Sequence, residues 1–280
     1  MRSRFQGALG LALVLPSIAV LVLLVVWPAI LAVIRSITFV QDGQTIWSTE
    51  RYVQIFTRPV LYNDIFFTAY VTIISVLGVL LIAYPAALYF RFARGRPVNL
   101  FSTIYMLPLF VPGIIAVYAL VRFLSERGWL WSLLTFLGVK NIPYISYTAT
   151  GIILAQIWTH LPFSTLILQS GLQAVSDDMV ESARDVGASW FRILWSILLP
   201  LNLRSTVIAL TILGIGVIGS FTIPFLSGPS APRMLGVTTF SYLTTFFQPE
   251  MAAALAVTLF GMSLLLSVVY IVVISRKERT

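Results

Sequence analysis

His160 is the one histidine of the chain, cysteine is absent, and four of the ten acidic residues fall together at Asp177, Asp178, Glu181 and Asp185. That inventory removes several chemistries. Disulfides, thiol nucleophiles and thiolate metal sites need cysteine, and a multi-histidine metal centre needs more than one imidazole. An enzyme site built from clustered His, Asp, Glu or Cys would have to rest on the acidic group alone. Those acids sit on a stretch with helical spacing of Met179, Val180, Ala183 and Val186. Ser176 with Asp177 reads as its N-cap, and Gly187 as the residue that ends or bends it. Such a piece is too short and polar to span a bilayer. It could rest on lipid headgroups, but anionic lipids attract Lys and Arg, and here only Arg184 offsets the acids. The charge favours docking into a groove on a soluble partner, which would move the helix with it.

A second set of polar residues lies inside apolar runs, where polar groups are costly and face protein or water. Gln156, His160 and Ser164 recur every four residues and share a helix face. Two readings stand: a stripe lining a pathway, or hydrogen bonds between packed helices. His160 itself reads as a packed residue rather than a proton relay, because no acid is expected in a spanning segment to partner it. Gly219, Ser220, Thr222 and Pro224 crowd one short stretch. Small residues allow close packing, while a proline frees a backbone carbonyl, and broken helices line transport sites; the pathway reading is preferred here.

The elements that must carry these residues follow from composition. Of 280 residues, 59% are hydrophobic and 10% charged, against roughly a quarter charged in soluble domains. Lipid must solvate much of the surface. Six runs are long enough for membrane helices: 9–34, 65–90, 101–121, 150–172, 206–226 and 251–275, with an inner loop at 173–205. The whole chain, 1–280, reads as a single transmembrane domain. Arg2 and Arg4 ahead of the first run resemble a secretory signal, but the uncharged stretch to Ile34 is too long, and it reads as a retained helix. The net charge of +8 is not gathered in a stripe with aromatics, so nucleic acid is not expected as a partner. With the N-terminus inside, 11 Lys and Arg fall inside against 7 outside, which puts both termini and the acidic helix on the cytoplasmic side.

Glu181-Ser182-Ala183, three residues, Gly187, nine residues, then Ile197-Leu198-Leu199-Pro200 resembles the EAA loop of ABC importer permeases, with Ser182 in place of the first alanine. Tyr84-Pro85, Leu107-Pro108-Leu109, Gly219-Ser220-Phe221-Thr222-Ile223-Pro224 and Ser227-Gly228-Pro229-Ser230 are weaker matches, similar to the polyamine branch and its iron, aminophosphonate and opine neighbours. The resemblance implies an all-α membrane protein of about six helices with the type I importer permease fold and a cytoplasmic coupling helix. It implies that Glu181, Ser182 and Ala183 lie on that helix, that Gly187 supplies the turn after it, and that Ile197, Leu199 and Pro200 lead to the fifth span. It also implies a bacterial inner membrane, a second and different permease subunit, a pair of ATP-binding subunits and an extracytoplasmic solute-binding protein. No GxxxxGK[ST] loop occurs in the chain, so ATP and Mg are expected on a partner, with no cofactor and no catalysis here. Polyamine is the expected solute, with a sugar or other small solute as the alternative. A secondary transporter would want ionisable residues within its spans, and only His160 qualifies.

Overall fold

A computed structural model describes residues 13–41 and 44–277; Arg2, Arg4 and Arg279 of the charge count, and the start of the first run at Leu9, lie outside the described residues. Helix α1 (Leu13–Ile37) leads to a hairpin of β1 (Thr38–Gln41) and β2 (Gln44–Trp47), paired antiparallel with Thr38 opposite Trp47. Then come α2 (Glu50–Thr57), α3 (Pro59–Phe92), α4 (Arg96–Met106), α5 (Gly113–Leu124), α6 (Trp129–Phe136) and α7 (Ala149–Gln173). The acidic helix is α8 (Asp177–Asp185). Next are α9 (Trp190–Leu201), α10 (Leu203–Ile218), α11 (Thr222–Ser227), α12 (Leu235–Thr244) and α13 (Pro249–Lys277). Among the described residues, four helices are long and apolar enough to cross a membrane, and two bent pairs would raise that to six.

Proline chemistry sets the departures from six straight rods. The third expected span, 101–121, is instead two pieces, Arg96–Phe110 and Gly113–Phe136, at 107°. Val111 precedes Pro112 and is extended (φ −90°, ψ 121°), because a following proline disfavours helical backbone. The fifth, 206–226, begins earlier at Leu203 and breaks between Ile218 and Thr222; Pro224 has no N–H to bond the Ser220 carbonyl one turn back. Helix α9 runs through Pro200 to Leu201, and the chain bends by 66° into α10 at Asn202. Wider π turns at Val22–Val26 and Leu194–Leu198 each fall just ahead of a proline, Pro28 and Pro200, whose ring clashes with a regular helical carbonyl. The second span starts six residues earlier than expected, at Pro59. This draws Asp64 into α3, where it is buried, so the expectation of a helix free of acids is corrected.

The chain divides into two units. The first, 1–62 with 238–260, holds α1, the hairpin and α2, tied by Tyr52 donating to Ser36 Oγ (2.8 Å) and Arg51 donating to the Thr38 carbonyl (2.6 Å). The second, 63–237 with 261–280, holds one buried cluster: Val71, Val79, Ala83 and Ala87 of α3, Ile152, Ala155, Leu168 and Leu172 of α7, and Leu213 and Val217 of α10. The cluster also takes in Val180 of α8 and Ile193 and Leu198 of α9, which fixes the acidic helix to the bundle. Alanines at 83, 87 and 155 let the helices approach closely.

Candidate functional site

Helix α8 begins after Ser176, which takes the N-cap backbone conformation but makes no side-chain cap bond. The first turn carries Asp177 and Asp178, whose charge suits the positive end of the helix. The apolar face expected from sequence divides. Val180 is buried and Ala183 packs against the core, whereas Met179 is 46% and Val186 85% exposed. The core lies to one side of the 180–183 edge, so residues flanking it point away. Glu181 and Ser182 are exposed as well. The helix ends in a Schellman turn: Ala188 N–H bonds the Ala183 carbonyl (3.0 Å) and Gly187 N–H bonds the Arg184 carbonyl (2.8 Å). Gly187 supplies the left-handed residue this turn needs, at φ +81°. Ser189 then caps α9, accepting from the Arg192 N–H. Along α9, Ile197 packs on the core, Leu198 is fully buried, Leu199 is half-buried and Pro200 is exposed.

The loop is bolted down by a residue that sequence reasoning counted only as an inside charge. Arg91, at the end of α3, donates to the carbonyls of Leu172 (3.3 Å) and Val175 (3.1 Å) and pairs with the Asp177 carboxylate. It thereby ties a carbonyl in the last turn of α7 and one in the connector after it to α3, and holds the first residue of α8. Its guanidinium also lies over the Phe92 ring. Phe92 meets Trp190 edge-on at 5.0 Å, and Arg184 lies over the other ring of that pair, Trp190, at 5.1 Å. The exposed surface of α8 is therefore mounted on a base of hydrogen-bonded and stacked side chains.

The residues expected to line a pathway do not form one surface. Gln156 is fully buried, with neither side-chain polar atom partnered, and Ser164 and Pro224 are buried too. Gly219 and Thr222 are exposed, at the break after α10, with His160 and Ser220 half-buried. The His160 ring donates from Nδ1 to the Gln156 carbonyl (2.9 Å), since a carbonyl only accepts. Its Nε2 faces Gly216, where an added Cβ would stand 3.1 Å away. Thr165, beside the stripe, donates to the Leu161 carbonyl and so accepts from the Tyr105 hydroxyl (2.8 Å).

The profile of the family described as "binding-protein-dependent transport system inner membrane component" matches residues 78–278. The chain belongs to that family. It is an inner-membrane permease subunit of an ABC importer. The spermidine/putrescine transport system permease protein PotB of Salmonella typhimurium is 26% identical to it over 240 residues, 84% of this chain and 81% of PotB. The sulfoquinovosyl glycerol transport system permease protein SmoG of Agrobacterium fabrum is 28% identical over 239 residues, 82% of this chain and 77% of SmoG. A chain from a bacterial alginate ABC transporter, solved in complex with an alginate pentasaccharide-bound periplasmic protein, has the same fold. Its TM-score is 0.82 at 17% identity, covering 96% of this chain and 94% of that one.

Three further buried polar residues of the permease went unread in the sequence. Asp64 (2% exposed) accepts from the Arg233 N–H at 2.7 Å, and Thr68 accepts from the Leu235 N–H at 2.9 Å, so α3 holds the loop ahead of α12. Asn202 sits at the bend between α9 and α10 at 1% exposure. A polar residue beside a helix break is the one signal that could have marked Asn202. Nothing local distinguishes Asp64 from a loop acid.

Proposed function

We propose that α8 is the coupling helix of this permease and that it transmits the movement of a cytoplasmic ATP-hydrolysing partner to the membrane helices. The observation that carries this reading is the pairing of an exposed face, Met179, Glu181, Ser182 and Val186, with a clamped base formed by Arg91, Phe92 and Trp190. A surface that docks a moving partner must be free on one side and stiff on the other, or the displacement dissipates in the loop. In this scheme Glu181 and Ser182 seat in the partner, Ala183 packs the same helix onto the bundle, Gly187 holds the turn, and Ile197, Leu199 and Pro200 carry α9 to the bundle. ATP and Mg are bound by the partner pair, and closure of that pair brings two coupling helices together. A second, different permease completes the pathway, and an extracytoplasmic binding protein delivers the solute. Both termini and α8 lie on the cytoplasmic side. Gly219, Ser220 and Thr222, at the break after α10, are this chain's contribution to the path; Gln156, Ser164 and Pro224, being buried, and half-buried His160 act on it only through packing.

The solute inferred is a polyamine, on the likeness to PotB. A sugar-type solute is the second reading, favoured by the equal likeness to SmoG. The chain has no cysteine, so a single Ser182→Cys is unique. In the assembled transporter it should cross-link to the ATPase partner and resist a membrane-impermeant thiol reagent applied from outside. Labelling from outside, or no cross-link to any subunit, would overturn the coupling assignment. Uptake of spermidine against sulfoquinovosyl glycerol by proteoliposomes supplied with the cognate binding protein separates the two solute classes. Uptake that persists without the ATPase would instead point to ion coupling.

A further inference from the structure

The 66° bend between α9 and α10 is built around one side chain. Asn202 Nδ2 donates to the Tyr84 hydroxyl of α3 (3.1 Å) and to the Leu168 carbonyl of α7 (3.2 Å), which uses both amide hydrogens. Its backbone N–H bonds the Leu198 carbonyl of α9, and its carbonyl accepts from both the N–H and the hydroxyl of Thr206 on α10, each at 2.9 Å. A single residue therefore bonds four helices. Its backbone (φ −87°, ψ 3°) lies in the sparsely populated bridge region, where the chain leaves one helix axis for the next. The approach is close. Gly171 of α7 faces Asn202 Oδ1 and Ser205 Oγ, and an added Cβ there would overlap both.

The Asn202 bonds and the Arg91 bonds form a pair. Tyr84 and Arg91 are seven residues apart on α3, and the α7 carbonyls that Asn202 and Arg91 bond, those of Leu168 and Leu172, are four apart, spacings that keep each pair on one helix face. The connector from Ser176 to Leu201 is pinned at its start by Arg91 and at its end by Asn202, both to the same ridge of α3 and α7.

We propose that Asn202 is a positioning residue for transport: with Tyr84 it locks the bend, so that displacement of α8 reaches α10 undiminished. It acts through α8 and α10 and touches neither nucleotide nor solute. The inference rests on the coupling role of α8 proposed above.

The test uses the whole transporter in nanodiscs, with nitroxide labels at Phe191→Cys on α9 and Ile212→Cys on α10, both exposed positions. The distance between the labels reports the bend. With Asn202 present it should be narrow and the same without nucleotide and after trapping with ATP and vanadate. In Asn202→Leu the distribution should broaden and shift on trapping. Tyr84→Phe, which removes one hydroxyl and keeps the packing, should give an intermediate broadening, and the double variant should match Asn202→Leu alone, because the two act as one unit. An unchanged, narrow distance in Asn202→Leu overturns the inference. If that variant does not assemble, an unchanged distance in Tyr84→Phe overturns it. Failure of the Ser182→Cys cross-link would instead overturn the coupling role of α8 and leave the bend measurement standing.

Discussion

Replacing Gly187 separates a backbone effect from a contact effect with unusual clarity. The residue sits at φ +81°, and no atom lies within 4 Å of where a Cβ would be placed. An alanine there meets no steric neighbour, so its whole cost is that of the left-handed conformation, about 1–2 kcal/mol for an L-residue. That penalty falls on the turn that holds the Ala188 N–H to Ala183 and the Gly187 N–H to Arg184. It converts to roughly 5–30-fold greater opening of the turn, with little effect on the global unfolding midpoint because the opening is local. Hydrogen exchange of the Ala188 amide in the assembled transporter reads this directly. Exchange should rise in the order Gly, Asn, Ala, Val, since asparagine tolerates the left-handed region and a β-branched residue does not. Solute moved per ATP should fall in the same order. Exchange in Gly187→Ala equal to wild type, or Asn as fast as Val, would refute the backbone argument.

Substitutions at four other residues, Arg91, Asp177, Gln156 and Asp64, test the polar contacts. Arg91→Met removes bonds from a charged donor to the Leu172 and Val175 carbonyls and should cost about 3 kcal/mol, seen as faster proteolysis within 176–201. Asp177→Asn should cost under about 1 kcal/mol, because the Asp177 side chain is 58% exposed; equal effects would show that the ion pair, not the carbonyl bonds, holds the connector. Gln156→Leu should raise the thermal midpoint in detergent, since both amide atoms are buried without partners and each costs about 1–3 kcal/mol. A lower midpoint would mean that the amide is bonded in the assembled transporter. Asp64→Ala should speed tryptic cleavage after Arg233 by leaving that N–H unpaired, whereas Asp64→Asn keeps an acceptor and should stay near wild type; equal cleavage in the two would show that the bond does not hold the loop.

Sequence alone was enough for whatever depends on neighbours along the chain. Run length and scarcity of charge placed the helices, because a bilayer sets both. The fixed spacing from Glu181 to Pro200 pointed to the permease family, and Gly187 could be read as a helix end because a Schellman turn spans only six residues. Packing decided the rest. Arg91 finds Leu172 81 residues away, Asn202 finds Tyr84 118 away, and Asp64 finds Arg233 169 away. No local pattern encodes such pairings, since each depends on which helix faces meet once α3, α7 and α10 have closed around their shared apolar cluster. The same closure buried Gln156 and Ser164, which spacing had placed on one face with His160 but could not assign to the inside or the outside of the bundle.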